Sequence, residues 1–167
     1  AAPVFRECQF TGNTASVGGG IYGNDAIIDV ADSNFVSNAA YQGGGLYLVE
    51  TEGALTGCDV IDNNAVGEPF YPGLPVMDEI LGYGGGVYLD TVRGLKLKDS
   101  VFTDNTADVS GGGIYSSGSN GESDLENCLI VSNRANRSGA GAAVTWLSEM
   151  DLSNCTIGFN IVTATGF

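Results

Sequence analysis

The sequence predicts an all-β fold, a right-handed parallel β-helix of about six coils, and three observations support this prediction. A phrase Cys/Ser-x-Phe/Val/Ile-x-x-Asn occurs six times, with its Asn residues 25, 25, 42, 28 and 27 positions apart. A phrase Gly-Gly-Gly-Ile/Leu/Val-Tyr follows four of these copies, and an apolar residue stands three positions before each Cys or Ser. Three columns in register along the chain indicate a repeat whose units stack to bury their apolar faces.

Each unit of 25–28 residues contains three short alternating stretches and no helical i, i+3, i+4 pattern, so we expect three strands per coil. Because side chains alternate along a strand, the Phe/Val/Ile column and the Cys/Ser column both face inward. The right hand follows from the usual chirality of parallel crossovers.

The Asn residues are expected at bends, where an amide side chain tolerates a left-handed backbone and bonds to the next coil. Their predicted role is a structural ladder and not catalysis. The members of this ladder are Asn13, Asn38, Asn63, Asn105, Asn133 and Asn160.

We expect a single domain, 1–167, interrupted by an insertion at about 66–83 and excerpted from a longer chain. The repeat pattern is already under way near both ends, and uncapped coils expose unpaired strand edges. The expected partners are therefore further β-helix coils or other protein subunits.

The net charge of −14, with no His, excludes nucleic acid as a partner, because phosphate binding needs a basic patch. No apolar run is long enough for direct membrane insertion. We expect an extracellular or cell-surface location.

The Phe-x-x-Asn phrase paired with Gly-Gly-(Ala/Gly)-Ile resembles the repeat of polymorphic outer membrane proteins, which form β-helical passenger domains of autotransporters. This resemblance covers nearly the whole chain. It implies a secreted or cell-surface scaffold with a structural or adhesive role.

The inward Cys/Ser column contains all four cysteines, in the order Cys8, Ser33, Cys58, Ser100, Cys128 and Cys155. Only Cys128 and Cys155 occupy neighbouring coils, at a spacing of about 4.8 Å that a disulfide accepts. The alternatives are free buried thiols, which the mixed Cys/Ser occupancy favours, and a Cys128–Cys155 disulfide.

Two features are candidates for binding. Tyr22, Tyr47, Tyr88 and Tyr115 are predicted to face outward in one line, either as a platform for glycans or a protein or simply as stacked rings that stabilise the strands. The apolar insertion either folds back on the solenoid or docks a partner. Its candidate contact residues are Phe70, Tyr71, Leu74 and Met77.

The sequence predicts no catalytic residues, no metal centre and no cofactor, although the bend acids Glu7, Asp32 and Asp99 offer oxygen ligands for weak Ca²⁺ binding. The alternative function is a glycan-binding or polysaccharide-degrading β-helix, similar to pectate lyase. Against it, no cluster of acids is expected in register beside a basic residue. A sequon marks Asn136 as a candidate glycosylation site.

Overall fold

A computed structural model describes residues 2–67 and 82–163, which form 22 strands. The strands of the first three coils are β1 (Val4–Arg6), β2 (Gln9–Thr11), β3 (Ile21–Asn24), β4 (Ile27–Ala31), β5 (Asn34–Val36), β6 (Ala39–Ala40), β7 (Leu46–Val49), β8 (Glu52–Thr56), β9 (Asp59–Ile61), β10 (Asn64–Ala65) and β11 (Val87–Asp90). The strands of the next three are β12 (Arg93–Lys98), β13 (Val101–Thr103), β14 (Thr106–Ala107), β15 (Ile114–Ser117), β16 (Glu122–Glu126), β17 (Leu129–Val131), β18 (Arg134–Ala135), β19 (Ala142–Val144), β20 (Glu149–Ser153), β21 (Thr156–Gly158) and β22 (Ile161–Val162).

These strands stack into four parallel sheets that wind through about five turns, and the predicted all-β parallel β-helix is confirmed. The first sheet has the order β1-β4-β8-β12-β16-β20 and the second β2-β5-β9-β13-β17-β21. The third sheet has the order β6-β10-β14-β18-β22 and the fourth β3-β7-β11-β15-β19. The prediction of three strands per coil is wrong, because a two-residue strand follows each Asn from the second coil onward. Two residues are too few to show alternation in a sequence.

The core runs along the axis of the solenoid and is built from the predicted columns. In the second sheet Phe35 pairs with Val60, and Phe102 pairs with Ile130; all four are fully buried. The rings of Phe10 and Phe35 stack with centroids 4.7 Å apart. Each coil therefore buries its apolar residues against those of the neighbouring coils.

Residues with positive φ make the corners and stand immediately before the Asn column. In the central coils these residues are Asp62 (φ 55°) and Asp104 (φ 57°), while the Asn residues themselves are not left-handed. The expectation that Asn takes the left-handed conformation is therefore wrong. The preceding residue, which is Asp, Ser or Gly in the first five coils and Phe159 in the last, takes that conformation and frees the Asn side chain for bonding between coils.

The Gly triplets are required by a positive φ and by close contact between coils. The first glycine is left-handed, as at Gly111 (φ 70°). At the second position, a Cβ on Gly112 would lie 2.2 Å from the carbonyl oxygen of Arg134 and 2.5 Å from that of Ala140. A methyl group has no room there, so these glycines hold neighbouring coils in contact.

Candidate functional site

The Asn column forms a continuous hydrogen-bonded ladder through the interior. Asn105 donates from Nδ2 to Asn133 Oδ1 (3.0 Å) and to the Val60 carbonyl oxygen (2.8 Å). Its Oδ1 accepts from the backbone N and from Nδ2 of Asn63, at 2.9 and 3.0 Å. The amide of Asn105 is thus fully bonded although the residue is completely buried. The ladder uses its polar atoms for structure.

The ladder has a direction, because each Asn from Asn13 to Asn133 donates to the Asn of the next coil. Asn13 donates both its backbone N and Nδ2 to Asn38 Oδ1. At the other end, Asn160 Oδ1 accepts from Asn133, and its Nδ2 donates back to the Ile130 carbonyl oxygen. The first described coil therefore presents an acceptor, and the sixth presents donors, to whatever lies beyond them.

The Cys/Ser column lies inside the solenoid beside the ladder. Ser100 Oγ donates to the Lys98 carbonyl oxygen (2.6 Å) and accepts from the backbone N of Cys58 (3.1 Å). The structure has all four cysteines as free thiols. Burial, with a smaller contribution from the neighbouring Cys155, raises the pKa of Cys128 to about 11, so its thiol is mostly protonated near neutral pH.

The tyrosine line is in register along the fourth sheet but is not an open stripe. Tyr22 is 51% exposed, whereas Tyr88 and Tyr115 are only 9% and 6% exposed. The prediction that all four phenols face solvent is therefore wrong at Tyr88 and Tyr115. Tyr83 packs on Tyr115 with ring centroids 4.6 Å apart, and the rings of Tyr88 and Tyr115 meet edge to face. Tyr83 precedes a Gly triplet, a position that the repeat analysis left unused.

The buried phenols also have their hydroxyl groups bonded within the chain. Tyr88 Oη lies 2.9 Å from Ser117 Oγ, and Thr145 donates to Tyr115 Oη at 3.0 Å. Burial raises the pKa of Tyr88 to about 12 and also raises the pKa of Tyr47. Of the four tyrosines, only Tyr22 and Tyr47 leave ring area for a ligand.

A charged depression that the sequence analysis missed lies on the outer face of the first sheet. Lys96, Asp124 and Asp151 stand side by side in register on β12, β16 and β20. Beside them Lys98 forms an ion pair with Glu126, which raises the pKa of Lys98. The depression encloses about 220 Å³. The expectation that no acids stand in register beside a basic residue is therefore wrong at Lys96.

The signal for this depression was present in the repeat. Lys96, Asp124 and Asp151 each precede a residue of the inward apolar column, and such positions must share one outer column. The site offers both signs of charge to a bound group. Its acids are solvent-exposed, so they are not set up as a buried acid–base pair.

Of the bend acids, Glu7 and Asp32 lie on neighbouring coils, whereas Gly57 lies between Asp32 and Asp99. Asp99 accepts a hydrogen bond from Asn127 Nδ2 (3.0 Å), and both residues have positive φ. Residues 2–67 and 82–163 contain no group of three or more His, Cys, Asp or Glu side chains that could hold a metal ion. Weak Ca²⁺ binding at these bends stays a prediction.

The first and last described coils expose the side chains that inner coils bury. Ile157 is 50% exposed, whereas Ile130, one coil earlier in the same column, is fully buried. Leu152 is 44% exposed, whereas Leu125, its partner in the fifth coil, is 1% exposed. In the first coil Phe5 and Phe10 are partly exposed, whereas their in-register partners Val30 and Phe35 are buried. Both faces are apolar surfaces with open strand edges.

Two further predictions concern the insertion residues and the sequon residue Asn136. The insertion residues Phe70, Tyr71, Leu74 and Met77 lie outside the described residues. Asn136 is exposed at a bend and accepts a hydrogen bond from Thr163 Oγ1 (2.7 Å), so the sequon is accessible at the surface. No helix in the described ranges has the length and apolarity to cross a bilayer.

The stacked parallel coils and their ladders correspond to a known family. The family model described as "right handed beta helix region" matches residues 1–157. The chain belongs to this right-handed β-helix family. Comparisons with curated proteins and with solved structures gave no match. Family membership establishes the β-helix module and leaves its role to be argued from the surfaces.

Proposed function

We propose that this right-handed β-helix is a non-catalytic structural or adhesive module of an extracellular or cell-surface assembly. One observation carries the proposal: both end coils present, in register, the same columns that the inner coils bury. Ile157 and Leu152 are about half exposed in the sixth coil, while Ile130 and Leu125 are buried in the fifth. An apolar face with open strand edges suits continuation of the stack.

The partner we propose for these faces is a further set of β-helix coils or another protein subunit with the same periodicity. The ladder supports this choice, because Asn160 presents donors and Asn13 presents an acceptor, as neighbouring coils do inside the stack. The phrase shared with polymorphic outer membrane proteins supports a secreted or surface location, and we propose this repeat type for the chain. The charge of −14 disfavours contact with anionic surfaces.

The test is the state of association of the chain 1–167 across a concentration series, measured by analytical ultracentrifugation. We expect association through the end faces. We expect Ile157→Asp to abolish it, because the substitution places a charge on the last apolar column. Leu129→Asp is the matched control, since Leu129 is also partly exposed but lies on the side of the solenoid. A stable monomer at all concentrations contradicts the proposal.

A second candidate is a glycan-binding or polysaccharide-degrading β-helix, and the charged depression favours it. Lys96 beside Asp124 and Asp151 provides a cation next to two carboxylates on an open sheet face. Tyr22 and Tyr47 add exposed ring surface on another face.

A glycan array and an assay for polysaccharide cleavage test this candidate. We expect binding or turnover to fall at least tenfold in Lys96→Ala and Asp124→Asn if the depression is the site. Arg134→Ala is the control, because Arg134 is exposed on the third sheet. A glycan array without binding, together with a polysaccharide cleavage assay without turnover, contradicts this candidate.

A further inference from the structure

Two of the four thiols stand next to each other across a coil boundary. Leu129 pairs with Thr156, and the backbone N of Thr156 donates to the Cys128 carbonyl oxygen at 2.9 Å. Cys128 and Cys155 each stand one residue before these paired strands, β17 and β21, so they are opposed across the coil boundary with Cα atoms about 4.8 Å apart. That spacing lies within the range that a disulfide spans without moving the backbone.

The other cysteines do not share this geometry. Ser33 lies between Cys8 and Cys58 in the column, and Ser100 lies between Cys58 and Cys128. Among the four thiols of the chain, one in-register pair is formed. The choice of partner is set by the stack and not by proximity in the sequence.

The two thiols differ in access. Cys155 is partly exposed, and its Sγ lies 3.5 Å from the Leu125 carbonyl oxygen of the fifth coil. Cys128 is 2% exposed, and its Sγ contacts the Leu97 and Glu126 carbonyl oxygens at 3.3 and 3.4 Å. An external oxidant reaches Cys155 first.

We propose that Cys128 and Cys155 are a site of disulfide formation that fastens the sixth coil to the fifth, with a low-molecular-weight disulfide such as oxidised glutathione as co-reactant. The Cys155 thiolate attacks one sulfur of oxidised glutathione, forms a mixed disulfide and releases one glutathione thiolate. The Cys128 thiolate then attacks Cys155 Sγ, which forms the bond between the coils and releases the second glutathione. Two protein thiols are oxidised, one small disulfide is reduced to two thiols, and the two protons pass to glutathione.

The position of the pair explains what the bond does. Within the described residues, the sixth coil packs against a neighbour on one side only, and its apolar residues Leu152 and Ile157 are about half exposed. A covalent link at Cys155 keeps this coil in register when its noncovalent contacts open. This inference does not depend on the proposed function, and oxidation of the pair is measurable whether or not the ends associate.

The experiment incubates the folded chain with oxidised glutathione at pH 8 and maps the products with trypsin. Cleavage places Cys128 in peptide 99–134, Cys155 in peptide 138–167, and both Cys8 and Cys58 in peptide 7–93. We expect the thiol count to fall from four to two and peptides 99–134 and 138–167 to remain joined until reduction. We also expect the joined fragments to migrate as one species on a non-reducing gel.

Serine substitutions provide matched controls, since Ser already occupies this column at Ser33 and Ser100. Cys155→Ser must abolish the link, and Cys8→Ser and Cys58→Ser must leave it unchanged. Ser33→Cys is in register with both Cys8 and Cys58. We expect it to add one further link inside peptide 7–93, so that the thiol count falls from five to one. Recovery of Cys155 only as a mixed disulfide with glutathione, or of four thiols after exposure, overturns the proposal.

Discussion

Replacing Asn105 by Ala tests the hydrogen-bonded ladder at its centre. The substitution removes four hydrogen bonds: two that Asn105 Oδ1 accepts from Asn63 and two that its Nδ2 donates, to Val60 and Asn133. Asn63 and Asn105 are at most 1% exposed, so water does not replace the lost partners.

The expected cost follows from the donors that are left without a partner. The backbone N–H of Asn63 and one of its Nδ2 hydrogens lose their acceptor in the interior. At about 1–3 kcal/mol for each orphaned buried donor, the loss in free energy of unfolding is about 4 kcal/mol. That is a large part of the roughly 5–15 kcal/mol by which native proteins are stable. For a chain of this size the corresponding fall in Tm is about 8–16 °C.

The assay is thermal and urea unfolding followed by far-ultraviolet circular dichroism, with agreement between the two as the check on two-state behaviour. Asn13→Ala is the matched control, because Asn13 lies in the same column but is exposed in the first coil. Its expected loss is below about 1 kcal/mol. Equal losses for Asn105→Ala and Asn13→Ala refute the reasoning that burial makes the ladder costly to break.

Three further predictions concern the glycines, the phenols and the thiols. Gly112→Ala should lower the free energy of unfolding by roughly 3 kcal/mol or more, because its methyl group meets backbone oxygen atoms. The control Gly158→Ala, with no atom within 4 Å of a new Cβ, should change the free energy of unfolding by less than about 0.5 kcal/mol. Equal effects of the two substitutions in urea titrations contradict the packing argument. The pKa of Tyr88 is raised from 10.0 to about 12 by burial, so its neutral form is favoured by folding, and this contribution to stability is intact below pH 10 and lost as the pH rises toward 12. Ultraviolet titration of tyrosinate together with unfolding at each pH checks it, and Tyr88→Phe should flatten the profile. Burial raises the pKa of Cys128 from 9.0 to about 11, so its alkylation by iodoacetamide at pH 8 should be about 100-fold slower in the folded chain than in urea. Mass spectrometry of peptide 99–134 measures the two rates. Equal rates would argue against a buried thiol.

The exposure of the tyrosines and the charged depression could not be predicted from any single repeat. The line Tyr22–Tyr115 was found in register, but its exposure changes along the stack because Tyr83 packs over the inner rings. Lys96 and Asp124 belong to different repeats, and neither is unusual in its own. Only their side-by-side pairing makes a charged depression, and pairing across coils is visible once the repeats are aligned on an outward position.

The order of the columns follows from the sequence because side-chain direction alternates along a strand and every coil has the same period. Phe35, Val60 and Phe102 can be assigned to one inward column from spacing alone. The same logic places Cys128 beside Cys155 and strings the Asn residues into a ladder.

Only the tertiary structure showed which residues form the corners, which side chains are exposed, and which columns the end coils leave uncovered. The left-handed residue proved to be Asp104 and not Asn105, because a corner must both reverse the chain and leave the amide free to reach the next coil. The exposure of Ile157 against the burial of Ile130 depends on how many coils lie beyond each of them. Sequence period sets which residues share a column, whereas burial depends on what the neighbouring coils place over that column, and this is a property of the stack as a whole.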